Sequence, residues 1–225
     1  MELNNIVGEL FEQYRAFNQH NPITGSILTA CAIFPTADIA SQLITDKKVS
    51  WEKVRYTSLL SPFYGLGAHL CVRSADVVGK YISEHALAKA ALGPNMLGLL
   101  FNLFFFVNNT VGEKTNYQLR ELGRHYSSLF SSSSSSVEQG AAERNWYKLV
   151  KEKILDYVPR KEYLNSAIGT LTFWNAFQYV NYSYIPPELQ TPATLGVAFG
   201  WTVLLSAWSL AGRTGITNNP GKNTE

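Results

Sequence analysis

The chain has 225 residues, 46% of them hydrophobic, with 19 Lys and Arg against 17 Asp and Glu, a formal net charge of +2. That balance supplies no whole-molecule field for nucleic acid, and two cysteines exclude a disulfide framework. The near-neutral mean hydropathy conceals a segregation. Five apolar stretches, Pro22 to Thr45, Tyr56 to Val72, Ala90 to Gly112, Tyr163 to Pro187 and Leu189 to Gly212, hold one ionised side chain, Asp38, and nearly all the other charges collect between and after them. A spanning helix needs about 20 apolar residues rising 1.5 Å each. The expected fold is therefore all-α, a polytopic helical membrane bundle with four to five spanning helices and a polar helical loop. It forms one domain over residues 1–215, with the serine-rich loop 113–162 inserted and a short tail at 216–225.

In chain order, Glu2 to Asn18 reads as an amphipathic helix, with Leu3, Ile6, Val7, Leu10, Phe11, Tyr14 and Phe17 on one side. It is expected to lie on the membrane surface. No cleavable presequence is legible in Met1 to Leu10, so an organelle address would be internal or already removed. Asn21 suits the cap and Pro22 the first turn of the following helix. In the connector Lys47 to Arg55, Trp51 and the adjoining Tyr56 are expected at headgroup level. Gly93-Pro94 ends an amphipathic stretch, Asp76 to Leu92, and opens the Phe-rich third apolar run. Thr115 to Leu129 and Glu143 to Tyr157 read as polar helices flanking the linker Ser131 to Ser136. Pro186-Pro187 turns the last two runs into a hairpin.

With five spans, Arg15, Arg73, Lys80 and Lys89 fall on one side and the remaining Lys and Arg on the other. The positive-inside rule assigns that basic side to the cytosol or the mitochondrial matrix.

No phosphate loop, nucleophile elbow, Cys-x-x-Cys or paired-carboxylate motif is present, so no catalytic, cofactor or metal site is expected. His20, His69, His85 and His125 are scattered, and Cys31 and Cys71 sit inside apolar runs as packing residues. Asp38, with Gln42 one turn on, reads either as a pore lining or as a helix-packing group, and the second is the more ordinary role. Gln178 and Asn181 share a face near Trp174, as interhelical glue or as a solute-binding stripe. Gly196 and Gly200 form a Gly-x-x-x-Gly pair, expected to pack within the chain more than between chains.

The same residues carry a resemblance. Tyr14, Pro22, Thr29, Ala37-Asp38, Ser41-Gln42, Trp51-Glu52 and Arg55 at one end, and Trp174, Gln178, Asn181-Tyr182, Ile185-Pro186, Trp201 and Leu205-Ser206 at the other, resemble the Mpv-seventeen / peroxisomal-membrane-protein-twenty-two family. The two ends cover about half the chain. The middle departs: Gly67-Ala68, Asn102-Leu103 and Asn175 stand where the family carries other residues. The resemblance implies a small integral protein of the mitochondrial inner membrane or the peroxisome. Family members are thought to form channels or otherwise affect small-solute passage, and no catalytic residues carry over.

The expected function is non-enzymatic. The first reading is a structural accessory subunit of a mitochondrial inner-membrane assembly, with membrane lipid and other membrane subunits as partners. The alternative is a channel passing small solutes, lined by Asp38, Gln42, Gln178 and Asn181.

Overall fold

The structure, a computed structural model, describes residues 2–45, 47–121, 123, 124, 127 and 160–217. The linker Ser131 to Ser136 and the expected helix Glu143 to Tyr157 lie outside the described residues, as do the last residues of the tail. Among the described residues there is no strand. The helices are α1 (Glu2–His20), α2 (Pro22–Thr45), α3 (Trp51–Tyr81), α4 (Ala86–Leu92), α5 (Pro94–Lys114), α6 (Arg160–Gly169), α7 (Asn175–Tyr184) and α8 (Pro187–Thr217). A π-helical turn, Thr170–Trp174, joins α6 to α7.

Turn chemistry sets the breaks. Asn21 directs its side chain back to the Phe17 carbonyl at 3.5 Å rather than capping α2, and Pro22 begins α2 directly. Ser50 caps α3 through the Lys53 amide, and its own N–H is taken by the Gln42 side chain at 2.6 Å. Helix α3 runs on to Tyr81, past the apolar run that predicts it, so only Ala86–Leu92 of the stretch after Asp76 forms a separate helix. The expected polar helix after Gly112 starts late, because Asn116 and Tyr117 turn left-handed and close α5, with Tyr117 N–H bonded to the Gly112 carbonyl at 2.7 Å.

The contacts fix the directions. Thr57 meets Asp38 and His69 meets Ser26, so α3 runs antiparallel to α2. Tyr56 bonds to the Asn108 carbonyl, and Gly67 lies against Phe101, so α5 reverses again. Asn102 meets Thr170, and Asn95 meets Asn175, so the α6–α7 column reverses once more. Gln178 meets Thr194, which closes α7 on α8. The result is five antiparallel columns: α2, α3, α5, α6–α7 and α8. The core joins Ala30 and Phe34 to Tyr56, Leu60, Tyr64 and Ala68, with Val111 and Leu195. Tyr64 sits at its centre, its ring 4.9 Å from Phe34 and 5.6 Å from Phe101. Tyr56, expected at headgroup level, is buried in this core, whereas Trp51 is exposed.

The surface is inverted relative to a water-soluble bundle. Leu59, Phe63, Leu66 and Leu70 point outward from α3, Leu100 and Phe104 from α5, and Leu164, Ile168 and Leu171 from the α6–α7 column. Inside, among the described residues, buried polar side chains are as numerous as buried apolar ones, Ser26, Ser61, Asn108, Ser166 and Asn181 among them. Exposed apolar faces of this extent are a liability in water. Pro22–Thr45 and the stretch Ala86–Lys114 are long and apolar enough to cross a membrane. These are the two stretches among the described residues that meet that length-and-composition test.

Helix α1 leaves Ile6, Val7, Leu10 and Phe11 exposed and is tied to the bundle by two bonds. Tyr14 shares a 2.7 Å hydrogen bond with Thr29, and Arg15 donates to Glu188 at 2.8 Å. Glu188 opens α8, where a bond from its own backbone N–H, then the Arg15 guanidinium, lower its pKa below the ordinary 4.5. A carboxyl with a lowered folded pKa contributes fully above its ordinary value and loses that contribution as pH falls through the lowered one. Spin labels at Glu9 and Ser183 should therefore give a narrow distance distribution at pH 6 that broadens below pH 4, and Glu188→Gln should broaden it at both.

Candidate functional site

Three stripes of side chains at helical spacing converge between the columns. Asn95, Gly98, Asn102 and Phe105 come from α5; Thr170, Trp174 and Gln178 from the π turn and α7; Thr194, Ala198, Trp201 and Thr202 from α8. With Phe34, Ala68, Cys71 and Phe101 they line a cavity of about 90 Å³. Among the described residues, no Asp, Glu, Lys or Arg lines it.

The cavity exists because of local packing choices. Gly98 leaves room on α5, where an added Cβ would stand 3.6 Å from Thr170 Cγ2. Gly169 lets the Trp201 ring lie against the helix backbone, and Phe173 stacks on that ring at 5.5 Å. The π turn adds a residue to α6–α7 just where the wall is built; such turns recur at functional sites.

The polar groups form a connected set. Asn102 Nδ2 donates to Thr170 Oγ1 at 2.9 Å, and Thr170 donates on to the Ser166 carbonyl. Asn95 Nδ2 donates to Asn175 Oδ1 and to the Ala91 carbonyl. Gln178 Nε2 donates to Thr194 Oγ1 at 3.2 Å, and Thr194 donates to the Gln190 carbonyl. Asn181, wholly buried behind Gln178, donates to Gln178 Oε1, Thr194 Oγ1 and the Gln190 carbonyl.

The four polar residues expected to line one pore do not come together. Only Gln178 lines the cavity. Asp38 is held by Lys53 at 3.3 Å, Thr57 at 3.2 Å and Gln42 at 3.1 Å. Gln42 turns its oxygen to Ser50, so this pair locks the α2–α3 corner rather than lining a passage. Gly196 and Gly200, expected to pack within the chain more than between chains, make no close helix approach among the described residues. Both are exposed, and a Cβ at either would meet nothing within 4 Å. The close helix approaches fall instead at Gly65 and Gly93. Of the family-pattern positions, Pro22 starts α2, Pro186 lies in the α7–α8 turn, and Trp174 and Trp201 form cavity wall. Asn95, Thr170 and Thr194 were not singled out by sequence, although their spacing was legible.

These features define an all-helical bundle with a polar interior, an apolar exterior and two helices fit to cross a membrane. A family model, the Mpv17 / PMP22 family, matches residues 151–206, a quarter of the chain that includes the π turn, α7 and the cavity-lining part of α8. The match supports membership of the Mpv17 / PMP22 family, whose members are membrane proteins of mitochondria or peroxisomes. No curated protein and no solved structure matches the chain.

Proposed function

We propose that the protein is a non-enzymatic integral membrane protein that takes small solutes into the bundle, in the mitochondrial inner membrane or, alternatively, that of the peroxisome. The observation that carries this is the cavity, whose polar side chains converge between columns that are apolar outside. All five columns then cross the bilayer. Column α3 and the α6–α7 column direct Ser61, His69, Ser166 and Gln178 inward, and polar residues at membrane depth face the bundle interior. The end carrying Lys47, Lys48, Arg55 and Lys114 faces the matrix or cytosol. No nucleic acid is a partner. In stopped-flow swelling, proteoliposomes should equilibrate urea and glycerol faster than protein-free vesicles; equal rates would sink this reading.

The second reading, a structural accessory subunit of an inner-membrane assembly, is favoured by the open Gly196 and Gly200 face of α8, which no described helix covers. Digitonin extracts on blue-native gels should then show the chain in a band of high mass. Gly200→Leu should release it from that band with its own thermal stability unchanged, whereas migration as a monomer of the wild type counts against this reading.

A further inference from the structure

We infer that the cavity binds a small uncharged molecule that both donates and accepts hydrogen bonds, such as a primary amide or a urea, and rejects ions. This rests on the solute reading and names the chemistry of its site.

Charge is the first consideration. No ionised side chain lines the cavity, and the near carboxylate, Asp38, one turn along α2 from the lining residue Phe34, is already neutralised by Lys53. An ion entering would give up its water shell for neutral dipoles alone, a loss that no counter-charge offsets. An uncharged solute avoids that loss.

The second consideration is the balance of donors and acceptors. Asn95 and Asn181 each donate to a backbone carbonyl, which can only accept, so their nitrogens and oxygens are fixed. Thr170 and Thr194 spend their hydrogens on the carbonyls of Ser166 and Gln190, so Asn102 and Gln178 must present N–H to them. Asn95 Oδ1 and Asn102 Oδ1 then accept nothing from the described residues. Asn181 Oδ1, one bond from Gln178 and Thr194, is buried and accepts nothing either. Against these oxygens stand the second N–H groups of Asn102 and of Gln178. Donors and acceptors are both presented, so the fitting occupant both accepts and donates. A primary amide offers two N–H groups to one carbonyl.

Shape is the third. Phe101, Phe105, Trp174 and Trp201 give flat apolar walls. The cavity volume is about 90 Å³. It lies well below the roughly 300 Å³ at which pockets for drug-sized ligands begin. A planar solute of a few heavy atoms fits; a nucleotide does not.

The cavity tryptophans report on this directly. Acrylamide is a small planar primary amide that quenches tryptophan, and iodide is a quenching anion. In the full chain in nanodiscs, with Trp51, Trp146 and Trp208 replaced by Phe, Trp174 and Trp201 remain as reporters. Acrylamide should quench them about tenfold more strongly than iodide, and acetamide, which does not quench, should protect them. Gly98→Ala keeps ordinary contact distances and so the fold, and it should weaken acrylamide quenching. Asn102→Leu should weaken it about fivefold, the loss of one hydrogen bond. Iodide quenching equal to acrylamide, acetamide giving no protection, or silence toward both would overturn the inference. If vesicles carrying the protein still pass urea while these tryptophans stay silent, the solute reading stands and the site is elsewhere.

Discussion

Gly65→Ala should cost about 3 kcal/mol of stability, the upper end of what overpacking exacts, and Gly65→Val should prevent folding. A Cβ at Gly65 would stand 2.7 Å from the Ser26 carbonyl oxygen, 2.8 Å from Ala30 Cβ and 2.8 Å from Ile27 Cα. Two of those three atoms are backbone, so relief requires moving α2 as a body rather than turning a side chain. The α2–α3 interface also holds the Phe34–Tyr64 ring contact and the bond between Ser26 and His69, and both would open with it. Gly196→Ala is the matched control. It stands in open space and, by removing backbone freedom from the unfolded chain, should be neutral or stabilising by about 0.5–1 kcal/mol. Thermal unfolding in one detergent compares the two. Equal melting temperatures would mean that α2 and α3 do not approach at Gly65.

Lys53→Met should destabilise by about 3 kcal/mol, because it leaves the Asp38 carboxylate buried without its cation. Asp38 is 6% exposed, and with Lys53 gone its remaining partners are a hydroxyl and an amide. Asp38→Asn should cost less, since an amide can still bond Thr57 while Lys53, on the more open side, reaches water. The double variant Asp38→Asn/Lys53→Met should recover much of the loss, so the two effects are not additive. Additive melting shifts would show that the pair does not interact. If Asp38 lined a conducting pore instead, Asp38→Asn would change conductance more than stability.

The all-helical fold was legible because the apolar runs are long and the charges lie between them. What those runs could not show is which face turns inward. The Gly-x-x-x-Gly pattern at Gly196 and Gly200 is a local signal for close approach, yet those glycines face outward and the contact falls at Gly65, which has no partner glycine at that spacing. Asp38 presented the same difficulty. Its cation lies in the next connector, and only the corner built by Gln42 and Ser50 swings Lys53 back over it. The cavity was legible in pieces, since Gln178, Trp174 and Trp201 drew attention as residues. Asn102 and Asn175, noticed as departures from a family pattern, stand on or beside its wall, bonded to Thr170 and Asn95. Asn95 and Thr170 went unremarked because single polar residues in an apolar run carry no mark of what they will meet.

The π-helical turn makes the length of one helix an instruction in its own right. A turn closed five residues back holds one residue more than an α-helical turn, and each residue advances a helix by about 100°. Excising a single residue between Thr170 and Trp174 would close the turn as an ordinary α turn, with α6 still keyed to α5 and α7 still in phase. Were the same residues wound as one unbroken α-helix, Gln178 and Asn181 would swing away from Thr194, and the outward-facing Val180 would be carried toward the interior. The composition of the helix would scarcely change, while its wall of the cavity would turn from amide to hydrocarbon.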